Sequence, residues 1–589
     1  MSAAVQTIWA DLVAASLADA GVRVCVISPG SRSTPLVAAL AKESRLELVT
    51  IIDERAAAFF ALGAARATNI PAALVCTSGT AAAHYLPAIV EAAMADVPLV
   101  AITADRPPEL QGCGASQTID QRGLYRSFVR GEFDLGAPSP SEGALRAVGR
   151  TLHQAITLAR GGRPGPVHVN VPLRKPLEPA APSTDVERDL ARFAADLRTP
   201  LALPPRVVAD GAMLDALARA IAGEPHGVIV VGAMPAHFAS HASWRDDIFA
   251  LAVRAGYPVI CEAGSQLRFG ARERAVVCVD HFDLVPTAEL PAAKLVFQLG
   301  AEPVAAAWPA WLQYAKPARW IVAGHGWHDP DSNARAVILG DVGDALARLV
   351  GILESTPAID ARTPARWAEI EATAARATAS AIEQHARSET AMVRAAIEAS
   401  PEGSIVQIGN SLPIRVVDHA CAGGVARTVI TQRGAAGIDG LISSAAGATR
   451  AGKPVLLVLG DVSFVHDLGG LVAARAARAP LAILVVDNRG GQIFSGLPIA
   501  KAELGGAFAE HWLTAPGIDP AAVASALGLR SVSAASAQAA GSAVAAALAD
   551  TGVTVIHAPV SMSGAHDVRR TAIELFLASA QEQRVWRTS

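Results

Sequence analysis

Two apolar runs of buried-strand length, VLLVLGD and LAILVVDN, end on Gly460-Asp461 and on Asn488, with a helix-length stretch between them. Such a pair reads as a strand–helix–strand unit whose strands run parallel and whose carboxyl ends lie side by side. The crossover constrains the fold strongly, because it requires a sheet covered on both faces. Ligands of open parallel sheets bind outside those carboxyl ends. At that edge stand the Asp461 carboxylate, the Asn488 amide oxygen and a backbone carbonyl at Gly490 that the turn leaves free. Three oxygens of this kind suit a hard divalent cation that keeps positions open for phosphate oxygens. Asp and Asn also favour ordinary strand-to-helix caps, so either turn alone would decide little.

The same alternation recurs along the chain. The runs VRVCVIS, LELVTII, AALVCTS, PLVAIT and PVHVNV alternate with Ala-rich stretches over residues 1–180. A Pro- and charge-rich segment follows, and a second set (GVIVVGA, PVICEA, LVFQLG, RWIVAG, ARAVILG) occupies 200–355. After the break STPAIDARTPAR, a third set (SIVQIG, RTVIT, PVLLVLG, LAILVVD, VTVIHAPV) occupies 385–589. This is the pattern of an α/β protein with three doubly wound, parallel-sheet domains. A chain of 589 residues accommodates them.

Composition excludes several functions. A net charge of −4, with no basic stripe, gives no pull toward nucleic acid. The six Cys show no CxxC spacing, which argues against a zinc ribbon or disulfide framework and for a reducing compartment. The first twenty residues carry Asp11 and Asp19 and lack a basic signal-peptide start, and no apolar run reaches membrane-spanning length. A cytoplasmic protein without membrane contact is expected.

The Gly460-Asp461…Asn488 pattern resembles the signature of thiamin diphosphate enzymes. That resemblance implies the pyruvate oxidase/decarboxylase-like architecture: a pyrimidine-binding domain (1–180), a central α/β domain (200–355) and a diphosphate-binding domain (385–589). It implies thiamin diphosphate held through Mg2+ (or Mn2+) by Asp461, Asn488 and Gly490, with Gly460, Val462, Ser463, Gly491 and Gln492 around the diphosphate. It also calls for a carboxylate at a strand end of the first block, and Glu54, after LELVTII, supplies one. Such a carboxyl bonds the pyrimidine N1′ and favours the imino tautomer that deprotonates C2. The turn Ser78-Gly79 would wall the same ring. In GAAGIDG, the residues Gly434, Ala435, Ile438 and Asp439 match cofactor neighbours, and Gly434, Gly437 and Gly440 are expected to let backbone approach the cofactor.

Six further blocks narrow the resemblance: SPGSRSTPL, TADRPPEL, GASQTID, GNSLPIR, QRGAAGIDG and GGQIFSGLP. Together they resemble the 2-succinyl-5-enolpyruvyl-6-hydroxy-3-cyclohexene-1-carboxylate (SEPHCHC) synthase family of menaquinone and phylloquinone biosynthesis. The implied reaction is decarboxylation of 2-oxoglutarate and 1,4-addition of the succinyl-semialdehyde carbanion to isochorismate, giving SEPHCHC and CO2. Those substrates bring four carboxylates, for which arginine forks are well suited. Arg32, Arg106, Arg415 and Arg433 are the candidates, with Ser31, Gln117 and Ser411 as neutral donors. Ile493, Phe494 and Leu497 would wall the thiazolium and substrate.

Two positions depart from the family pattern: alanines in QLGAEPVAAAWPAWL, where a Lys-Arg pair is frequent, and His84, where Asn is frequent. His466, in SFVHDL, is the nearest candidate for a general base and reads equally as a structural residue of the diphosphate helix, the reading favoured. An acetolactate synthase or a simple 2-oxoacid decarboxylase would share the cofactor residues but not require four arginines. A non-catalytic nucleotide or flavin binder is disfavoured, since neither GxGxxG nor GxxxxGK[ST] occurs. The resemblance further implies a homodimer or dimer of dimers with active sites at the subunit interface.

Overall fold

The computed structural model describes residues 2–199, 202–356 and 364–588. Its framework is three six-stranded sheets, parallel at every pairing. The first contains β1 (Val24–Ile27), β2 (Glu47–Thr50), β3 (Ala72–Cys76), β4 (Leu99–Asp105), β5 (Glu132–Asp134) and β6 (Pro166–Pro172), in the order β2-β1-β3-β4-β6-β5. The second has β7 (Gly227–Val231), β8 (Val259–Cys261), β9 (Cys278–Val279), β10 (Leu295–Leu299), β11 (Ala318–Ala323) and β12 (Ala334–Leu339). Its order is β12-β11-β10-β7-β8-β9, the arrangement of doubly wound dinucleotide-binding sheets. The third comprises β13 (Ile405–Ile408), β14 (Thr428–Thr431), β15 (Val455–Gly460), β16 (Leu481–Asp487), β17 (Arg530–Ser533) and β18 (Val553–Pro559). It repeats the strand order of the first, as β14-β13-β15-β16-β18-β17.

Fifteen of these strands coincide, to within about two residues at each end, with the apolar runs read from the sequence. The other three, β5, β9 and β17, are the terminal strand of their sheet and only two to four residues long. β5 and β17 are also half-exposed and polar, so no apolar run announces them.

The chain forms two compact units. One consists of Met1–Pro205, Gln432–Gly452 and His466–Ala479; the other of Arg206–Thr431, Lys453–Val465 and Pro480–Ser589. In the first unit, the helix Glu54–Thr68 starts at Asp53, whose side chain accepts from Arg55 N and Ala56 N, and stops at Asn69 in the left-handed region. It packs on the helix Leu441–Ala448 at backbone distance. A Cβ at Gly63 would come within 1.9 Å of the Ser444 carbonyl oxygen, and one at Gly447 within 1.9 Å of the Phe60 carbonyl oxygen. Glycine is required at both positions for the helices to approach this closely.

In the second unit, the buried Arg268 donates to the carbonyls of Cys261, Asp280, Asp418 and Cys421, while Asp418 accepts from Ala263 N. A buried guanidinium surrounded by acceptors ties the second sheet to the third. Among the described residues, no helix is long and apolar enough to cross a membrane.

Candidate functional site

In the first unit the candidate residues follow the carboxyl ends of four adjacent strands: Ser31 and Arg32 after β1, Glu54 after β2, Ser78 and Gly79 after β3, and Arg106 after β4. The sheet continues on both sides of β1, the topological position where such folds take ligands. Glu54 is the first helical residue but not the cap, since Asp53 fills that role. Its half-buried carboxylate forms no hydrogen bond or ion pair among the described residues. The fully buried Tyr85 and Cys76 are both near enough to feel the charge of Glu54. Burial pushes the Cys76 thiol up to about 12, so it is a neutral packing group rather than a nucleophile.

The turn after β3 is held from outside. Ser78 Oγ donates to Gln117 O at 3.0 Å, Gln117 Nε2 donates to Ser78 O at 2.9 Å, and Gln121 Oε1 accepts from Gly79 N at 3.1 Å. Gln117, expected to face a substrate carboxylate, thus directs one of its amide hydrogens to this turn.

Three of the four arginines are anchored to main-chain carbonyls. Arg32 is buried and donates through Nη1 to Leu173 O at 2.6 Å, and its Nε is buried without a partner. Arg106 donates to Ser116 O at 3.0 Å, with its Nε also buried and unpartnered. Arg415, in the second unit, donates to Ser411 O at 2.6 Å, with Ser411 at φ 72°. Each anchor restricts the guanidinium, and on Arg32 and Arg106 it leaves further donors. Arg433 makes no side-chain hydrogen bond or ion pair among the described residues.

The glycine-rich loop is held by residues of the first unit's helices. The Glu91 carboxylate accepts from Gly434 N at 3.0 Å and Ala435 N at 2.6 Å, and pairs with Arg66 at 2.8 Å. A Cβ at Gly434 would meet Glu91 O and Ala95, and one at Gly440 would meet the Phe59 ring. The room left by these two glycines is filled by the first unit's own helices, so packing alone already requires glycine at both positions. Ile438 and Asp439 are half-buried. Close by in sequence, Asp467 is fully buried and accepts from Ser443 N at 2.9 Å; burial raises its carboxyl to about 6. His84 and His466 are exposed.

In the second unit, β15 and β16 are neighbours with Gly460 opposite Val486, which brings Asp461 and Asn488 to one edge. Asp461 is buried and accepts from Gly490 N at 2.7 Å and Val462 N at 3.0 Å. Burial, with Asp487 nearby, raises its carboxyl to about 6. Asn488 Nδ2 donates to Glu389 Oε2 at 3.0 Å, and Asn488 Oδ1 is buried with no partner. Glu389 is itself buried, which raises its carboxyl to about 7. Gly490 adopts φ 113°, and a Cβ there would lie 2.2 Å from Leu513 O. Its carbonyl is not free as expected: it accepts from Gln492 N at 2.8 Å in a tight turn, which leaves one lone pair.

An orphaned buried amide oxygen beside a buried carboxylate of raised pKa is a donor set short of a cation, and it fits a divalent metal. Among the described residues no cluster of three or more His, Cys, Asp or Glu could hold a metal, so this site would lean on amide and carbonyl oxygens. Gly460, Val462, Ser463, Gly491 and Gln492 border these ligands. Ile493 and Phe494 are half-buried and Leu497 is exposed. The stretch holding the alanines runs into the helix Ala307–Ala315, whose Trp308 and Trp311 are buried.

Sequence reasoning missed Glu91, Gln121, Glu389 and Asp467. Each acts on a partner remote in sequence, and only Asp467 lies within a motif stretch, between Asp461 and Asn488, at a position the signature does not specify.

Residues 9–124 match a family model described as the thiamine pyrophosphate enzyme N-terminal TPP binding domain, and residues 418–558 the C-terminal TPP binding domain. The chain is 42% identical over 573 residues to the 2-succinyl-5-enolpyruvyl-6-hydroxy-3-cyclohexene-1-carboxylate synthase of Sorangium cellulosum, covering 94% of this chain and 92% of that protein. It is 39% identical to the Geobacillus thermodenitrificans protein of the same name, over 83% and 82% of the two chains. Among solved structures, benzoylformate decarboxylase from Polynucleobacter necessarius superposes with a TM-score of 0.68 at 16% identity, over 94% of this chain and 98% of that one. At that identity the likeness concerns the fold.

Proposed function

The chain belongs to the 2-succinyl-5-enolpyruvyl-6-hydroxy-3-cyclohexene-1-carboxylate synthase family of thiamin diphosphate enzymes, and from that premise we propose how its residues divide the work. The protein is a transferase of menaquinone biosynthesis. Its substrates are 2-oxoglutarate, which loses CO2, and isochorismate, which receives the remaining four-carbon unit.

Thiamin diphosphate, when bound, supplies the nucleophilic carbon and the electron sink that let a 2-oxo acid lose CO2. The domain of residues 1–180 takes the pyrimidine and that of 385–589 the diphosphate, with 200–355 between them in sequence. Glu54 offers a carboxyl group without protein partners to the pyrimidine N1′, and Ser78 and Gly79 line that ring. Asp461, the Asn488 oxygen and the remaining lone pair of the Gly490 carbonyl hold Mg2+. The single observation that carries this reading is the buried, unpartnered Asn488 oxygen next to Asp461.

Arg32, Arg106, Arg415 and Arg433 bind and orient the substrate carboxylates, aided by Ser31, Gln117 and Ser411. Anchoring of the first three to main-chain carbonyls supports this, since a guanidinium already held loses less freedom on binding. Ile493, Phe494 and Leu497 exclude water from the reacting groups, and a dry site favours departure of an unsolvated carboxylate. The active unit is at least a homodimer in the cytoplasm.

Incubation with 2-oxoglutarate, isochorismate, thiamin diphosphate and Mg2+ tests the reading. It requires a product with the mass of SEPHCHC and one equivalent of CO2. Release of CO2 without a joined product would leave only a decarboxylase.

A further inference from the structure

The first unit has a cavity of about 440 Å3 at the edge of its sheet opposite to the candidate site. Its wall is made where the strands begin: Arg23 precedes β1, Glu47 opens β2, and Pro71 and Ala72 start β3. Glu54 and Ser78, by contrast, follow strand ends. A volume of this size accommodates a small metabolite.

Four arginines line the cavity (Arg23, Arg45, Arg450 and Arg478), and Glu47 is the one acidic residue among the lining. Arg23 is fixed by bonds to Ala18 O and Val22 O, and Arg45 is engaged by Glu43 and Asp19. Arg450 and Arg478 share a single Glu47 oxygen, each at 2.9 Å. The Arg450 side chain is 4% exposed, yet its Nη1 is buried without an acceptor, and its Nε approaches Glu47 out of line for a hydrogen bond. Its guanidinium lies over the Phe60 ring, 5.1 Å from the centroid. Burial, with Arg478 nearby, pulls the guanidinium below its ordinary value. A desolvated cation with one shared carboxylate and an unmet donor is incomplete without an additional anion.

We propose that this cavity is a second ligand site, remote from the catalytic end, that binds a compact polyanion bearing two or more carboxylate or phosphate groups through Arg450, Arg478 and Arg23. The helix Glu54–Thr68 spans the distance between the two ends: Glu54 opens it, and Ala64 and Thr68, which line the cavity, lie about 15 and about 21 Å further along its axis.

Calorimetric titration of the holoenzyme, loaded with thiamin diphosphate and Mg2+, tests this with two probes, tricarballylate and fructose 1,6-bisphosphate. Saturable binding of either is expected; which one binds distinguishes a carboxylate from a phosphate ligand. Arg450→Gln, and separately the more exposed Arg478→Gln, should weaken it at least about tenfold, because each removes a charge-assisted contact. Arg478→Gln should retain the basal turnover and melting temperature of the wild type, and Arg433→Ala should leave probe binding unchanged. Three results would overturn the proposal: no saturable binding of either probe at millimolar concentration, binding that Arg433→Ala abolishes and Arg478→Gln does not, or a crystal structure with the cavity filled by a second copy of the chain.

Discussion

Asn488 and Glu389 are joined by one hydrogen bond, Nδ2 to Oε2 at 3.0 Å, and that bond decides which way the Asn488 amide faces. With its nitrogen held, the amide presents its oxygen, buried and unpartnered, on the side of Asp461. Glu389 opens the helix Glu389–Ala399, whose cap is Ser388, so it is a fixed point to which the amide can be oriented. Metal ligands are commonly oriented by an outer partner of this kind.

The first prediction follows from that bond. Glu389→Leu frees the amide to rotate and should weaken Mg2+ binding by roughly 10- to 100-fold. Glu389→Gln keeps an acceptor for Nδ2 and should stay near wild type. Titration of the cofactor-free protein with Mn2+, read by electron paramagnetic resonance, measures this without turnover. Equal affinities in both variants would mean that the amide is oriented by something else.

How much of this was legible in the sequence depended on distance along the chain. Asp461 and Asn488 stand at the ends of apolar runs and could be read together. Glu389 lies 99 residues from Asn488, and Glu91 lies 343 residues from Gly434; no local pattern connects either pair. The buried strands were visible because fifteen of them are apolar runs. β5 and β17 were not, because a short, polar edge strand buries little side chain, and β9, though buried, is only two residues long and so carries no pattern. Glycines were legible as special positions, but not the packing that requires them: Gly434 and Gly440 make room for Glu91 and Phe59. The Gly490 carbonyl could not be judged either, since only the backbone geometry reveals that Gln492 N already uses it.

The second prediction concerns Glu91. Its carboxylate holds the amides of Gly434 and Ala435 and pairs with Arg66, all in a buried setting. Glu91→Ala should destabilise the protein by about 3–5 kcal/mol, since it leaves a buried arginine without its partner. Glu91→Gln should cost less, because one acceptor oxygen remains. Chemical unfolding compares both with the wild type; wild-type stability in Glu91→Ala would show that the ion pair and its hydrogen bonds contribute nothing.

The third prediction concerns the substrates. Alanine at Arg32, Arg106, Arg415 or Arg433 should lower kcat/KM by about tenfold or more, as expected for loss of a charge-assisted bond. Pyruvate, which lacks the distal carboxylate, should be a poor donor. Efficient self-condensation of pyruvate would instead favour an acetolactate synthase.

The fourth prediction is a pH dependence. Burial raises Asp467 from 3.8 in the unfolded chain to about 6 in the folded one. Between these values the native state holds a proton that the unfolded state has lost. The stabilising contribution is complete below about pH 3.8, falls as pH rises through the window, and is gone above about 6. The loss is on the order of 3 kcal/mol. Asp467→Asn cannot ionise, so the stability of the wild type relative to this variant should fall by that amount between pH 4 and 7. Urea unfolding at a series of pH values measures it; a flat difference would mean that Asp467 ionises in the fold as freely as in water.

The fifth prediction concerns assembly. If the catalytic carboxylate and the metal ligands of one site come from different subunits, two inactive variants should repair each other. Glu54→Gln lacks the carboxylate, and Asp461→Ala lacks a metal ligand. Mixed under conditions that permit subunit exchange, they should regain part of the wild-type activity, because a mixed dimer contains one site with Glu54 from one chain and Asp461 from its partner. The recovered fraction should approach one quarter: half of the dimers are mixed after random exchange, and each of those has one intact site of two. If both residues of a site come from the same chain, every site retains a defect and no activity returns. Exchange confirmed by mass-labelled subunits, with activity still absent, would rule out the shared site.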